Sequence, residues 1–264
     1  MLHTFSKAGK IFDLFSVSEP EWGVSEVAHA LAMPKSSVCE VMMSLASQGL
    51  LFRTSAGRYR LGWRLVELSH TLQETTDFYA EARLEMKELV ERWGETVHLS
   101  VLEGQQIVHV EKLHEVSYVQ VLLSHMSMRL PAYCSSVGKV LLASQEWRKV
   151  TTLFQDQQLP AFTPKTITTM HDLAHELKRV RIQGYAYDDE EVLPGLCCVS
   201  APIYDSNGRA IAGISFVIPA NRFHQQPENY TTAILDAAQR TSKKIGYQVK
   251  KQKVSRGHGT ASLK

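Results

Sequence analysis

The segment from Trp22 to Leu68 constrains the fold more than any other part of the chain. Val27, Ala28 and Leu31 recur at helical spacing behind Ser25, a residue able to cap a helix. Met33-Pro34 interrupts that helix, because proline disfavours helical geometry in the residue before it yet suits the start of a new helix. Ser37 and Glu40 form an S-x-x-E pattern, which predicts a capping box. Val38, Val41, Met42 and Leu45 then share one face. Lys35, Ser36, Cys39, Glu40, Met43 and Ser47 lie on the other and, with Ser37 at the helix start, form a candidate recognition surface.

Gly49 supplies a left-handed helix end, after which the pattern alternates. Leu50 to Arg53 and Arg58 to Leu61 flank the small polar turn Thr54-Ser55-Ala56-Gly57, predicting a hairpin. Arg53, Arg58 and Arg60 on that hairpin are placed to grip phosphates while the helix reads base edges. Two helices, a turn and a hairpin predict a winged helix-turn-helix, with double-stranded operator DNA as partner. The competing reading is a small helical domain with a solvated basic hairpin.

The N-terminal segment resembles the DNA-binding domain of the IclR family of bacterial transcriptional regulators. The motifs that carry the resemblance are KAGKIFDLF, PKSSV and GRYRLG. Members usually carry a basic residue near Glu40, so the acidic side chain departs from the pattern. Glutamate can accept from cytosine N4 but is repelled by phosphate, and both roles stay open here.

A chain of 264 residues is long enough for two domains. The eight basic residues from Arg240 onward, with no acidic ones, leave the preceding part at −6 within a total of +2. DNA contact must then rest on local patches rather than on a global field. The tail at 250–264 lacks apolar periodicity and is expected to be a disordered basic segment. Cys39, Cys134, Cys197 and Cys198 show no C-x-x-C spacing and no secretory signal precedes them. Reduced thiols in a cytoplasmic protein are expected, and no apolar run has the length of a membrane span.

Thr75-Thr76-Asp77 breaks a helical stretch that begins near Leu65. The expected organisation is a DNA-binding domain over 1–66, a helical linker over 67–76 and a second domain over 77–249. In that domain Thr96–Leu102 and Gln106–Leu113 alternate around Glu103-Gly104, and Tyr118–Leu123 reads as a further strand. Ser135–Ala143 and Met170–Gln183 read as helices. Cys198–Tyr204 and Ala210–Val217 flank Asp205-Ser206-Asn207-Gly208, a strong hairpin signal. The expected class is α+β, a winged helix-turn-helix domain joined to a domain with a curved antiparallel sheet.

The second half also resembles the IclR family, through ETVHLSVLEG, RLPAYCSSVGKVLLAS, GYAYDDEEVLPGLCCVSAPIYDSNGR and IAGISFV. The resemblance extends from about Ser6 to Val249. It implies a GAF-like effector domain, a homodimer or dimer of dimers, and a ligand pocket at Val119, Leu122, Leu130, Ser136, Val137, Asp188, Leu196, Cys198, Ser215 and Val217. Ser135-Ser136 at a helix start can hold an anion on free backbone N–H groups, Ser215 adds a hydroxyl, and the remaining wall is apolar. A small organic acid fits such a lining. Val217 stands where members that bind small oxo acids carry serine, which points to a larger or more aromatic acid. Ser135-Ser136 as a mere cap and Cys198 as a buried structural thiol are the alternatives.

Enzymatic readings are weaker. His171 and His175 stand at i and i+4, but Thr169 with Asp172 more simply predicts an N-terminal cap with solvated histidines. His98 reads as a strand histidine. Adjacent Cys197 and Cys198 on a strand point oppositely, so only one faces the pocket. In Asp188-Asp189-Glu190-Glu191 only Asp188 is expected to point inward. No nucleophile elbow, Walker A loop or dinucleotide fingerprint is present. No cofactor, metal or catalytic residue is expected. A hydrolase built on Cys198, His98 and Asp188, or a ligand-binding module without DNA contact, are the alternatives to a regulator that is expected to repress.

Overall fold

The computed structural model describes residues 3–114, 129–155 and 158–248. The chain divides into two compact units, Met1–Thr76 and Asp77–Lys264.

The first unit holds α1 (His3–Phe12), α2 (Val24–Ala30), α3 (Lys35–Ser47), the hairpin β1 (Leu51–Arg53) and β2 (Tyr59–Leu61), and α4 (Arg64–Glu74). Ile11, Val27, Val38, Val41, Met42, Leu51 and Tyr59 form its core, so the apolar face expected of the second motif helix is the face that packs. Gly49, at φ 72°, ends α3 in the left-handed region that glycine occupies without a Cβ penalty. Two capping expectations fail. Gly23, not Ser25, caps α2, and its N–H donates to the Glu26 carboxylate. α3 starts at Lys35 behind Pro34, one turn earlier than a Ser37 cap requires, and the Ser37 hydroxyl instead accepts from Lys7 Nζ of α1.

The second unit runs α5 (Asp77–Trp93), β3 (Thr96–Glu103), β4 (Gln106–Leu113), β5 (Arg129–Pro131), α6 (Ser136–Ala143), α7 (Trp147–Phe154) and α8 (Met170–Gln183). β6 (Ala186–Asp189), β7 (Leu196–Tyr204), β8 (Ala210–Pro219), α9 (Ala220–Phe223) and α10 (Pro227–Lys244) follow. The six strands form one antiparallel sheet in the order β5-β4-β3-β8-β7-β6. A register shift between Leu99 and Ser100 adds local bend and twist to a curled sheet. The expected α+β class with a curved antiparallel sheet is what the chain forms. The strand expected over 118–123 lies outside the described residues, as do Val119, Leu122 and the basic tail.

Strand alternation separates the two faces. Val97, Leu99, Val199, Ala201, Ile214 and Phe216 pack with α5 and α10 in one core. The opposite face carries His98, Ser100, Cys198, Ser200, Ser215 and Val217, and α6 lies against it with the second core of Val137, Val140, Leu141 and Leu142. Gly213 of β8 makes this approach possible: a Cβ there would stand 2.4 Å from Val137 Cγ2 of α6.

Candidate functional site

In the first unit, Lys35, Ser36, Glu40 and Met43 are exposed on α3, and Cys39 is half-buried with its thiol 3.7 Å from Met43 Sδ. The wing arginines divide. Arg60 lies over the Phe52 ring at 4.7 Å and Arg53 over Tyr59 at 5.9 Å, geometries that leave guanidinium edges for phosphate oxygens. Arg58 does not match the phosphate contact expected of it. Its guanidinium meets Glu26 through two 2.8 Å bonds and donates to the Glu21 carbonyl at 2.7 Å. The Glu26 carboxylate that completes the α2 start therefore also anchors the wing. Trp22 and Tyr59 exchange backbone bonds at 2.8 and 2.9 Å beside this pair.

In the second unit, one cavity opens between the polar face of the sheet and the start of α6. It is lined by His98, His109, Leu130, Ser135, Ser136, Val137, Asp188, Val192, Leu193, Leu196, Cys198, Ser215 and Val217. Every described residue expected of the pocket, Leu130, Ser136, Val137, Asp188, Leu196, Cys198, Ser215 and Val217, is among them. The free space is about 30 Å³, on the scale of one or two water molecules.

The register explains the convergence. His98 lies opposite Ser215, Ser215 opposite Ser200, and Asp188 opposite Cys198, so residues from four strands fall in rows on one face. Ser135 accepts from Gly138 N–H as the N-cap of α6. Ser136 is bonded to Ser200 at 2.6 Å, which ties the helix start to β7. The Asp188 carboxylate accepts from the N–H groups of Glu191 and Val192 at 2.7 and 3.3 Å. Burial pushes its pKa up to about 7 despite those bonds and nearby Lys139.

His109, Val192 and Leu193 line the cavity without being singled out by the sequence, and His98 lines it without being expected in the effector pocket. From the sequence His98 reads as a strand histidine and enters a site only in the hydrolase alternative. It is one, but its side chain enters the cavity, its ring tilted against that of His109 at 4.4 Å between centroids. Its Nε2 is buried with no hydrogen-bond partner among the described residues. His109 Nδ1 pairs with Ser100 at 2.8 Å. Burial drives the His98 pKa well down and that of His109 to about 3, so both rings are neutral. The signal was present in Thr96–Leu102, where His98 and Ser100 alternate with Val97 and Leu99.

The acidic run needs correction. Glu191 is buried beside Asp188, because it pairs with the buried Lys139 of α6, whose ammonium also lies 3.6 Å from Glu176. Asp189 and Glu190 meet exposed Lys165. As expected, Cys198 lines the cavity and Cys197 packs on the other face. Burial pushes the Cys198 thiol well above its ordinary value, so it lacks the thiolate that a nucleophilic hydrolase requires. Thr169 caps α8 at Asp172 N–H as expected, with His171 and His175 exposed. Among the described residues no helix is long and apolar enough to cross a membrane.

Comparison with known proteins agrees with this layout. The model for the IclR helix-turn-helix domain matches residues 4–55, and that for the bacterial transcriptional regulator IclR C-terminal matches residues 70–243. The transcriptional regulator KdgR of Escherichia coli is 31% identical over 90% of this chain and 92% of its own. XynR of the same organism is 29% identical over 94% of this chain and 98% of its own. The crystal structure of the Thermotoga maritima IclR superposes with a TM-score of 0.73 at 30% identity, covering 94% of this chain and all of that one.

Proposed function

The chain belongs to the IclR family of bacterial transcriptional regulators, with a DNA-binding and an effector-binding domain, and from that premise we propose that it is a repressor released from its operator by a small organic acid. Lys35, Ser36, Cys39, Glu40 and Met43 face the groove, with Ser37 held at the helix start, and Arg53 and Arg60 reach flanking phosphates. The organic acid occupies the cavity of the second unit. The observation that carries this reading is the convergence of Ser136, Asp188, Cys198, Ser215 and the unpartnered His98 nitrogen in one apolar-walled cavity. Such a site rewards a ligand with a few polar atoms on a compact hydrophobic body.

The chain acts as a homodimer or dimer of dimers, because one helix in one groove reads few bases whereas a two-fold pair matches a palindrome. Support comes from α4, which buries no residue and exposes Leu68 and Leu72 at 50% and 66% on the same face as half-buried Leu65. A second copy would cover such a stripe.

The test is fluorescence anisotropy with DNA from upstream of the chain's own gene, titrated with a panel of small aromatic and aliphatic carboxylates. At least one acid should dissociate the wild-type complex, and Ser215→Val should bind DNA normally while ignoring that acid. Dissociation by neutral sugars or amines instead, or an equal response from Ser215→Val, would refute the assigned ligand class or pocket.

A further inference from the structure

We propose that Asp189, Cys197 and His224 form a binding site for a divalent zinc-like metal ion, on the face of the sheet opposite the effector cavity. Asp189 and Cys197 are paired across β6 and β7, and His224 follows α9. Asp189 Oδ1 lies 2.9 Å from His224 Nε2 and 3.2 Å from Cys197 Sγ, and Cys197 Sγ lies 3.8 Å from His224 Nε2. Ligand bonds of about 2.0 to 2.3 Å in a tetrahedral zinc site separate neighbouring donor atoms by roughly 3.2 to 3.8 Å. The three atoms therefore already stand near three corners of such a tetrahedron, and metal binding requires only small side-chain shifts.

The donor set selects the ion. Thiolate, imidazole and carboxylate together suit zinc or cobalt, whereas magnesium and calcium take oxygen ligands. Lys165 sits 3.3 Å from Asp189 Oδ2 and leaves Oδ1 for the metal. Asp189 and His224 have half their side-chain surface exposed, at 48% and 51%, which gives the ion a route in and a solvent molecule the fourth position. Cys197 is fully buried and anchors the site from below.

The placement also gives the ion leverage. Asp189 and Cys197 directly adjoin Asp188 and Cys198, whose side chains cross to the effector cavity. A bound metal would clamp the β6–β7 pair at the rim of that cavity and reduce the freedom of Asp188 to move when a ligand enters.

Cobalt(II) titration of the metal-stripped full-length protein tests the site. The expected result is saturation near one equivalent, with a thiolate-to-cobalt charge-transfer band and tetrahedral visible bands that zinc(II) abolishes. Cys197→Ser should remove the charge-transfer band and Cys198→Ser should keep it. The exposed His224→Ala, which leaves the core untouched, should weaken binding about tenfold or more. Absence of the band in wild type, its persistence in Cys197→Ser, its loss in Cys198→Ser, or a wild-type titration by a folded His224→Ala would each overturn the assignment.

Discussion

Replacing His109 with glutamine should make the protein markedly less sensitive to mild acid. His109 and His98 are in ring contact and buried, and burial holds the His109 pKa at about 3 against an ordinary value of about 6.5. In the unfolded chain both rings take up protons below about pH 6.5, while in the folded protein they do not. The unfolded state then binds more protons, so this contribution to stability is complete above about pH 6.5 and lost as pH falls towards 3. Between pH 7.5 and 5 the His109 ring costs about 2 kcal/mol, with His98 acting in the same direction, out of a typical domain stability of about 5 to 15 kcal/mol. Asp188, raised to about 7, acts in the opposite direction, so the wild-type gradient alone does not isolate the histidines. The difference between proteins does. Urea denaturation followed by circular dichroism at the two pH values should show His109→Gln losing about 2 kcal/mol less than wild type. Glutamine can keep a hydrogen bond with Ser100, so the comparison is of charge uptake rather than of a broken network. An unchanged difference between pH 7.5 and 5 would refute the claim that His109 is held neutral.

Two further outcomes follow from side-chain pairings. Arg60→Ala should reduce the slope of log affinity against log salt by about 1 for DNA binding, whereas Arg58→Ala should leave that slope unchanged and increase proteolysis at the wing, because Arg58 is engaged with Glu26. Lys139→Met should destabilise the second unit by about 3 to 5 kcal/mol in urea melts, with partial recovery in the Lys139→Met/Glu191→Gln double variant, because the single change leaves buried carboxylates uncompensated.

Sequence periodicity revealed which faces pack. Val38, Val41 and Met42 turned inward on α3, and Leu51 to Leu61 folded into a hairpin around Gly57, because both patterns are local. The pocket residues Ser136, Asp188, Cys198 and Ser215 were legible only through family motifs. What neither route revealed was pairing at long range. The bonds from Ser136 to Ser200, Lys139 to Glu191 and Arg58 to Glu26 join residues 64, 52 and 32 positions apart. Each depends on strand register or helix placement, which a one-dimensional pattern does not encode. The Ser25 cap failed because α2 already starts at Val24, and the Ser37 hydroxyl is taken up by Lys7 of α1, 30 positions away.

The doubly used Glu26 carboxylate, bonded both to Gly23 N–H and to Arg58, couples α2 to the wing. None of those bonds involves Lys35, Ser36, Glu40 or Met43 on the outer face of α3. In the proposed reading, alignment on DNA and choice of bases fall to different side chains, so exchanging the α3 surface alone is expected to change the operator read. Loss of Glu26 would instead blunt recognition of every operator alike, which makes it a fixed joint in a tool whose tip is replaceable.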